Sequence, residues 1–164
     1  MGKVDVNKTI NNVVSFYKEV YEGKNLKVKF EFGNKDLFIY TDSSFMNEIF
    51  SQILNNAITY SANGTILLKL ETETKGIIKY AVFSIKDNGI GICESKINLI
   101  FEDFRQVSEG CTREYDGLGL GLAFVKKIVE LHNGEITVES KENLGSLFKI
   151  KLELKKENTK QRAF

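Results

Sequence analysis

The chain has 164 residues, 42% hydrophobic and 27% charged, the balance of an ordinary globular domain with enough length to bury a core. Its 23 basic and 22 acidic residues leave a formal charge of +1, which offers no field that would argue for nucleic acid or an anionic membrane as partner. No apolar run approaches the ~20 residues needed to span a bilayer, Met1 to Ile10 lacks a secretory core, and Cys93 and Cys111 have no metal spacing, so a soluble cytoplasmic domain with free thiols is expected.

Apolar residues recur at Val6, Ile10, Val13, Val14, Tyr17 and Val20, which predicts a first helix over Val4 to Val20, ended by Gly23 and Asn25. Leu26, Val28, Phe30 and Phe32 alternate with charged residues as a half-buried strand does, and Leu37 to Tyr40 reads as its short neighbour after a Gly33-Asn34 turn. Asp42 or Ser43 then caps a second helix whose core stripe is Met46, Ile49, Phe50, Ile53 and Ala57. Gln52, Asn56 and Tyr60 stand four residues apart and line a polar face beside that stripe.

Thr65 to Glu73 and Gly76 to Lys86 form an expected strand pair joined across Thr74-Lys75. The second strand delivers Asp87-Asn88-Gly89-Ile90-Gly91-Ile92, where an acid and two glycines break out of β-branched residues. A carboxylate at a strand end is costly to desolvate unless a donor meets it, and an adenine exocyclic amine is such a donor. Gly89 and Gly91 permit positive φ or the close approach of a flat ring, although Asp-Asn-Gly is also a common turn. Glu94 to Phe104 returns to helical spacing through Ile97, Ile100, Phe101 and Phe104. Arg105 to Asp116 has few apolar residues and reads as a lid, with Arg105, Gln106 and Arg113 as phosphate contacts.

A second cluster, Gly117-Leu118-Gly119-Leu120-Gly121-Leu122, runs into a third helix with inner residues Leu122, Val125, Ile128, Val129 and His132, closed by Asn133-Gly134. Close glycines before a helix N-terminus expose N–H groups toward an anion, and the spacing fits neither the Gly-x-x-x-x-Gly-Lys phosphate loop nor the dinucleotide fingerprint. His132, the sole histidine, is read as a packing residue. Gly134 to Ser140 and Ser146 to Leu154 supply two last strands, and residues 155–164 a polar tail beyond a domain of residues 1–154.

Asn56 in Gln52-Ile53-Leu54-Asn55-Asn56-Ala57, then Asp87-Asn88-Gly89-Ile90-Gly91, Ile100-Phe101-Glu102-Asp103-Phe104, Gly117 to Leu122, and Asn143-Leu144-Gly145-Ser146 together resemble the ordered motifs of the sensor histidine kinase ATP-binding domain. The resemblance covers nearly the whole chain. It implies the two-layer α/β sandwich shared with chaperone, topoisomerase and mismatch-repair ATPases, with one mixed sheet covered on one face by three helices. It also implies ATP as ligand and magnesium on Asn56, whose amide oxygen suits a hard cation beside phosphate oxygens and water. Nucleotide contacts are expected from Asn56, Tyr60, Asp87, Gly89, Gly91, Ile92, Phe104, Arg105, Gln106, Arg113, Gly117, Leu118, Gly119, Leu120, Gly121, Leu122, Gly145 and Ser146.

Such a domain donates the γ-phosphate to a histidine on a separate phosphoacceptor domain of the same parent, which then passes it to a response regulator. No histidine followed by an acid and proline precedes Asn56, so that acceptor is absent here. The chain is expected to be an excised, monomeric domain of a parent that could be membrane-anchored. The alternatives are a serine kinase or hydrolytic ATPase of the same fold, or a nucleotide-sensing module. The sequence departs from the pattern at Gln52, Thr59 and Asn143. Gln52 holds the general-base position of the hydrolytic relatives, and a neutral amide is not a base.

Overall fold

The computed structural model describes residues 2–33, 37–102 and 121–154. Its main layer is a five-stranded mixed sheet in the order β2-β4-β5-β7-β6, built from β2 (Leu26–Phe32), β4 (Gly64–Lys75), β5 (Ile78–Lys86), β6 (Glu135–Lys141) and β7 (Gly145–Glu153). Only β2 and β4 run parallel. Register aligns Leu68 with Ile85 and Phe148, and Leu70 with Phe83 and Ile150, so one face of the sheet is continuously apolar and buried. The opposite face carries exposed ion pairs such as Lys149–Glu139 and Lys151–Glu73, each of little energetic weight.

Helices α1 (Val6–Phe16), α3 (Ser43–Thr59) and α4 (Gly121–Leu131) all bury residues in the single core cluster that includes the apolar sheet face; the short α2 (Lys18–Gly23) buries none. Asp42 caps α3 by accepting the Ser44 N–H at 2.9 Å, and Met46, Ile49, Phe50, Ile53 and Ala57 are all buried, as their spacing predicts. At the other end of α4, Asn133 takes φ 52°, its N–H bonds Glu130 O and the Gly134 N–H bonds Val129 O, a left-handed helix stop. The two-layer sandwich inferred from the sequence is the fold observed.

Four local expectations are corrected. The first helix is shorter: Gly2–Asp5 is a strand, β1, and Asp5 caps α1 by accepting the Lys8 N–H, while the chain breaks at Tyr17 before α2. The helical stripe opens at Val6, and its periodicity carried no sign of the cap at Asp5 just before it. The strand β3 (Phe38–Thr41) pairs antiparallel with β1 in a second, two-stranded sheet, whereas β2 pairs with β4. Proximity in sequence suggested a hairpin, but the partner of β2 comes only after α3. The β4–β5 hairpin turns at Gly76-Ile77, not Thr74-Lys75, with Gly76 at φ 63°. Over 94–101 there are two 3-10 turns, Glu94–Lys96 and Leu99–Phe101, in place of a helix, since Cys93 gives the first no side-chain cap and Asn98 is a poor helix former. Phe104, Arg105, Gln106, Arg113, Gly117, Leu118, Gly119 and Leu120, the lid and the tail lie outside the described residues.

Candidate nucleotide site

Asp87 follows the last residue of β5 and is only 5% exposed. Its Oδ1 accepts the N–H of Gly89 at 2.8 Å and that of Ser146 at 3.1 Å, and its own N–H bonds Ser146 O at 2.9 Å. Burial raises its pKa above the ordinary carboxylate value, and the two backbone donors oppose that shift without cancelling it. A desolvated carboxylate held from one side by main-chain donors is poised to accept from an external donor.

Around it three loops are locked together. The Tyr60 carbonyl, at the end of α3, accepts the Ile90 N–H at 3.1 Å and occupies the room a Cβ on Gly89 would need. Gly91 takes φ 67°, and a Cβ there would collide with the Lys141 carbonyl at the end of β6. These two glycines therefore admit neighbouring backbone, and Gly91 takes the positive φ that its lack of a Cβ permits. Gly145, at φ 86°, closes against the Asp87 carbonyl in the same way. Asn143, where the motif has glycine, keeps a left-handed φ of 62° and donates to Ile90 O at 2.7 Å, so this departure preserves the loop.

Ile92 is half-buried, and its N–H donates to Ser140 Oγ at 2.8 Å; Ser140 Oγ also contacts Gly145 O and Ser146 Oγ, each at 2.9 Å. Ser140 thus ties the first and last glycine motifs together. Sequence reasoning missed it, because a lone serine at a strand end carries no pattern.

Along α3 the half-buried Asn56 precedes Tyr60, whose N–H bonds the Asn56 carbonyl and which is 42% exposed. Gln52 reaches the start of α4: its side-chain carbonyl fills the space of a Cβ on Gly121, and its Nε2 donates to Glu48 Oε1 at 2.8 Å. Leu122 is half-buried against the core. From Tyr60 to Gln52 is eight residues, ~12 Å of helix at 1.5 Å per residue. Asn56 lies midway between the Gly89 contact and the Gly121 contact. Lys24, also missed, bonds the Ile58 and Thr59 carbonyls at 2.9 and 3.0 Å; contacts spanning more than 30 residues of sequence leave no local signal.

His132 is occupied as a packing residue would be. Nδ1 donates to Ile128 O at 2.8 Å, which leaves Nε2 to accept from Thr41 Oγ1 at 2.7 Å, and Phe45 packs edge-on at 5.3 Å. Among the described residues no group of three His, Cys, Asp or Glu side chains could hold a metal ion, and no helix is long and apolar enough to cross a membrane.

The motifs and the fold together define a sensor histidine kinase type of catalytic domain: the backbone superposes on the mycobacterial sensor histidine kinase MprB with a TM-score of 0.76 at 25% identity, over 92% of this chain and 95% of that one. The chain belongs to the family of histidine kinase-, DNA gyrase B-, and HSP90-like ATPases, whose model matches residues 41–156. It is 35% identical over 167 aligned residues to the autoinducer 2 sensor kinase/phosphatase LuxQ of Vibrio vulnificus, and 34% identical over 149 to the sensor protein kinase WalK of Staphylococcus haemolyticus. These alignments take in 94% and 91% of this chain but 19% and 24% of the relatives, so the chain spans about a fifth to a quarter of their length.

Proposed function

We propose that residues 1–154 form the catalytic domain of a sensor histidine kinase, binding Mg·ATP and donating its γ-phosphate to a histidine on a separate domain of the parent protein. The buried Asp87 carboxylate, oriented by Gly89 and Ser146, carries this reading. With Oδ1 engaged by two N–H groups, the adenine amine is assigned to Oδ2. Tyr60, Gly89, Gly91, Ile92, Gly145 and Ser146 then surround the base. Leu122 and Gly121 belong to the phosphate end, with Gly117, Leu118, Gly119, Leu120, Phe104, Arg105, Gln106 and Arg113 as expected contacts from the sequence.

Magnesium fits this donor set. With no carboxylate cluster to bind it alone among the described residues, the ion takes most of its oxygens from phosphates and water, and Asn56 adds one neutral oxygen. When bound, it would neutralise phosphate charge, while the chain's own part is positioning.

Gln52 favours a histidine acceptor over water or serine. A general base contributes ~10²–10⁴-fold, which an amide cannot supply, whereas neutral imidazole is already nucleophilic near pH 7. Downstream, a response regulator would receive the phosphoryl group, and the isolated chain would be monomeric. Titration calorimetry with ATP and MgCl₂, then phosphotransfer to a supplied histidine-bearing helical domain, tests the reading. Binding with slow hydrolysis is expected; turnover of ~1 s⁻¹ or faster by the chain alone would favour the hydrolase.

A further inference from the structure

Glu48 and Gln52 stand one turn apart on α3, and the direction of their 2.8 Å hydrogen bond follows from chemistry alone. A carboxylate offers only acceptors, so the half of the amide that faces it must be the NH₂ group. The carbonyl oxygen is thereby turned away, and what it meets is Gly121, the first residue of α4, which leaves room for it by having no Cβ. Behind Glu48 stands Tyr17, at the break between α1 and α2. Its phenol is hydrogen-bonded to Ser51, and its pKa is raised by burial and then by the charge of Glu48. The raised pKa keeps the phenol neutral at physiological pH.

We propose that Glu48 is a positioning residue for the phosphate end of the nucleotide site: by fixing the Gln52 amide it sets an uncharged acceptor oxygen, in place of an NH₂ group or a carboxylate, beside the first turn of α4. The inference rests on the nucleotide site proposed above. An amide oxygen can hold a water by accepting its hydrogen bond, yet cannot take its proton at any working pH. Water beside the phosphates is thus ordered without being turned into a nucleophile. An unanchored amide would instead rotate freely between its two faces, and a carboxylate would serve as a base. An ordinary pair of this spacing on a helix surface would have neither consequence.

The decisive variant exchanges the two side chains, Glu48→Gln with Gln52→Glu, in the whole 164-residue chain. The exchange keeps a Gln–Glu hydrogen bond one turn long but moves the carboxylate to Gly121. Thermal melting, Mg·ATP affinity by calorimetry and phosphate release are measured beside the parent and Glu48→Leu. The exchanged chain is expected to melt with the parent and to release phosphate at least ~10-fold faster, short of the ~10²–10⁴-fold of an evolved base. Folded Glu48→Leu is expected to bind Mg·ATP several-fold more weakly with no faster release. An exchanged chain equal to the parent in affinity and release would reduce the pair to a surface contact and overturn the proposal. Should the exchange not fold, unchanged Mg·ATP affinity in folded Glu48→Leu overturns it equally. A parent that binds no Mg·ATP would remove the nucleotide reading itself, and this inference with it.

Discussion

Asp87 and Ser146 hold each other in both directions: Asp87 donates its N–H to the Ser146 carbonyl at 2.9 Å, and Ser146 returns its own N–H to Asp87 Oδ1 at 3.1 Å. The junction of β5 and β7 is thereby also the mount of the one buried carboxylate in the described residues.

That mount makes Asp87→Asn an informative variant. The amide oxygen still accepts from Gly89 and Ser146, so the NH₂ group is forced toward the place assigned to the adenine amine, donor against donor. A hydrogen bond to a charged group is worth ~1.5–3 kcal/mol, so ATP affinity should fall at least ~10-fold. GTP, which offers a carbonyl where adenine has its amine, should bind the parent chain poorly. Calorimetry with both nucleotides checks this, and equal binding of GTP and ATP would displace Asp87 from base recognition.

The same substitution should stabilise the empty domain. Burial raises the folded-state pKa of Asp87 above its unfolded value, so its contribution to stability is fully present below the unfolded pKa and is lost as pH rises through the folded one. Asp87→Asn has no such loss, and above that window it should melt higher than the parent, the difference closing in acid. Nucleotide affinity should move oppositely, dropping as pH falls through the raised Asp87 pKa. Melting and ATP titrations across an acidic-to-neutral pH series test both arms; a variant melting below the parent at pH 7 would contradict the burial argument.

Gly145→Ala should disable the site through the backbone. Left-handed φ costs a non-glycine residue roughly 1–2 kcal/mol, and the added methyl meets the Asp87 carbonyl, an overpacking of roughly 1–3 kcal/mol. The expected result is a lower melting temperature together with weakened ATP binding, because relief requires moving Asp87. An alanine variant with parental ATP affinity would show that the turn and the carboxylate are not coupled.

His132→Ala separates packing from chemistry. Losing the bonds to Ile128 and Thr41 should destabilise the domain by about 1–3 kcal/mol, seen in urea unfolding, while ATP affinity stays at the parental value. Incubation of the parent chain with radiolabelled ATP should leave His132 unphosphorylated, since both ring nitrogens are engaged. Acid-labile label on that residue would reverse the assignment.

What the sequence made legible was whatever is written locally. The α3 stripe, the Asp42 cap, the Asn133-Gly134 stop and Asp87 at a strand end each depend on residues within a few positions of one another. What it concealed is set by contacts remote in sequence: β2 beside β4, Lys24 on the end of α3, Ser140 beneath Ile92, and Gln52 against Gly121. Glycine positions were recognisable, but their neighbours were not. Nothing in the motif spelling distinguishes a glycine that clears space for a ligand from one that clears it for a carbonyl of the same chain.

The orientation of Asp87 by main-chain N–H groups has a practical corollary for chemical inhibition. Side-chain replacement at 89 or 146 cannot delete those donors, since every residue but proline supplies an N–H. A compound that addresses Asp87 through a donor of its own would face a carboxylate whose two main-chain donors no loss of a side chain removes. Escape would have to come from residue 87 itself or from the glycine turns that seat it, each at the expense of the natural ligand, or from the exposed Tyr60 side chain.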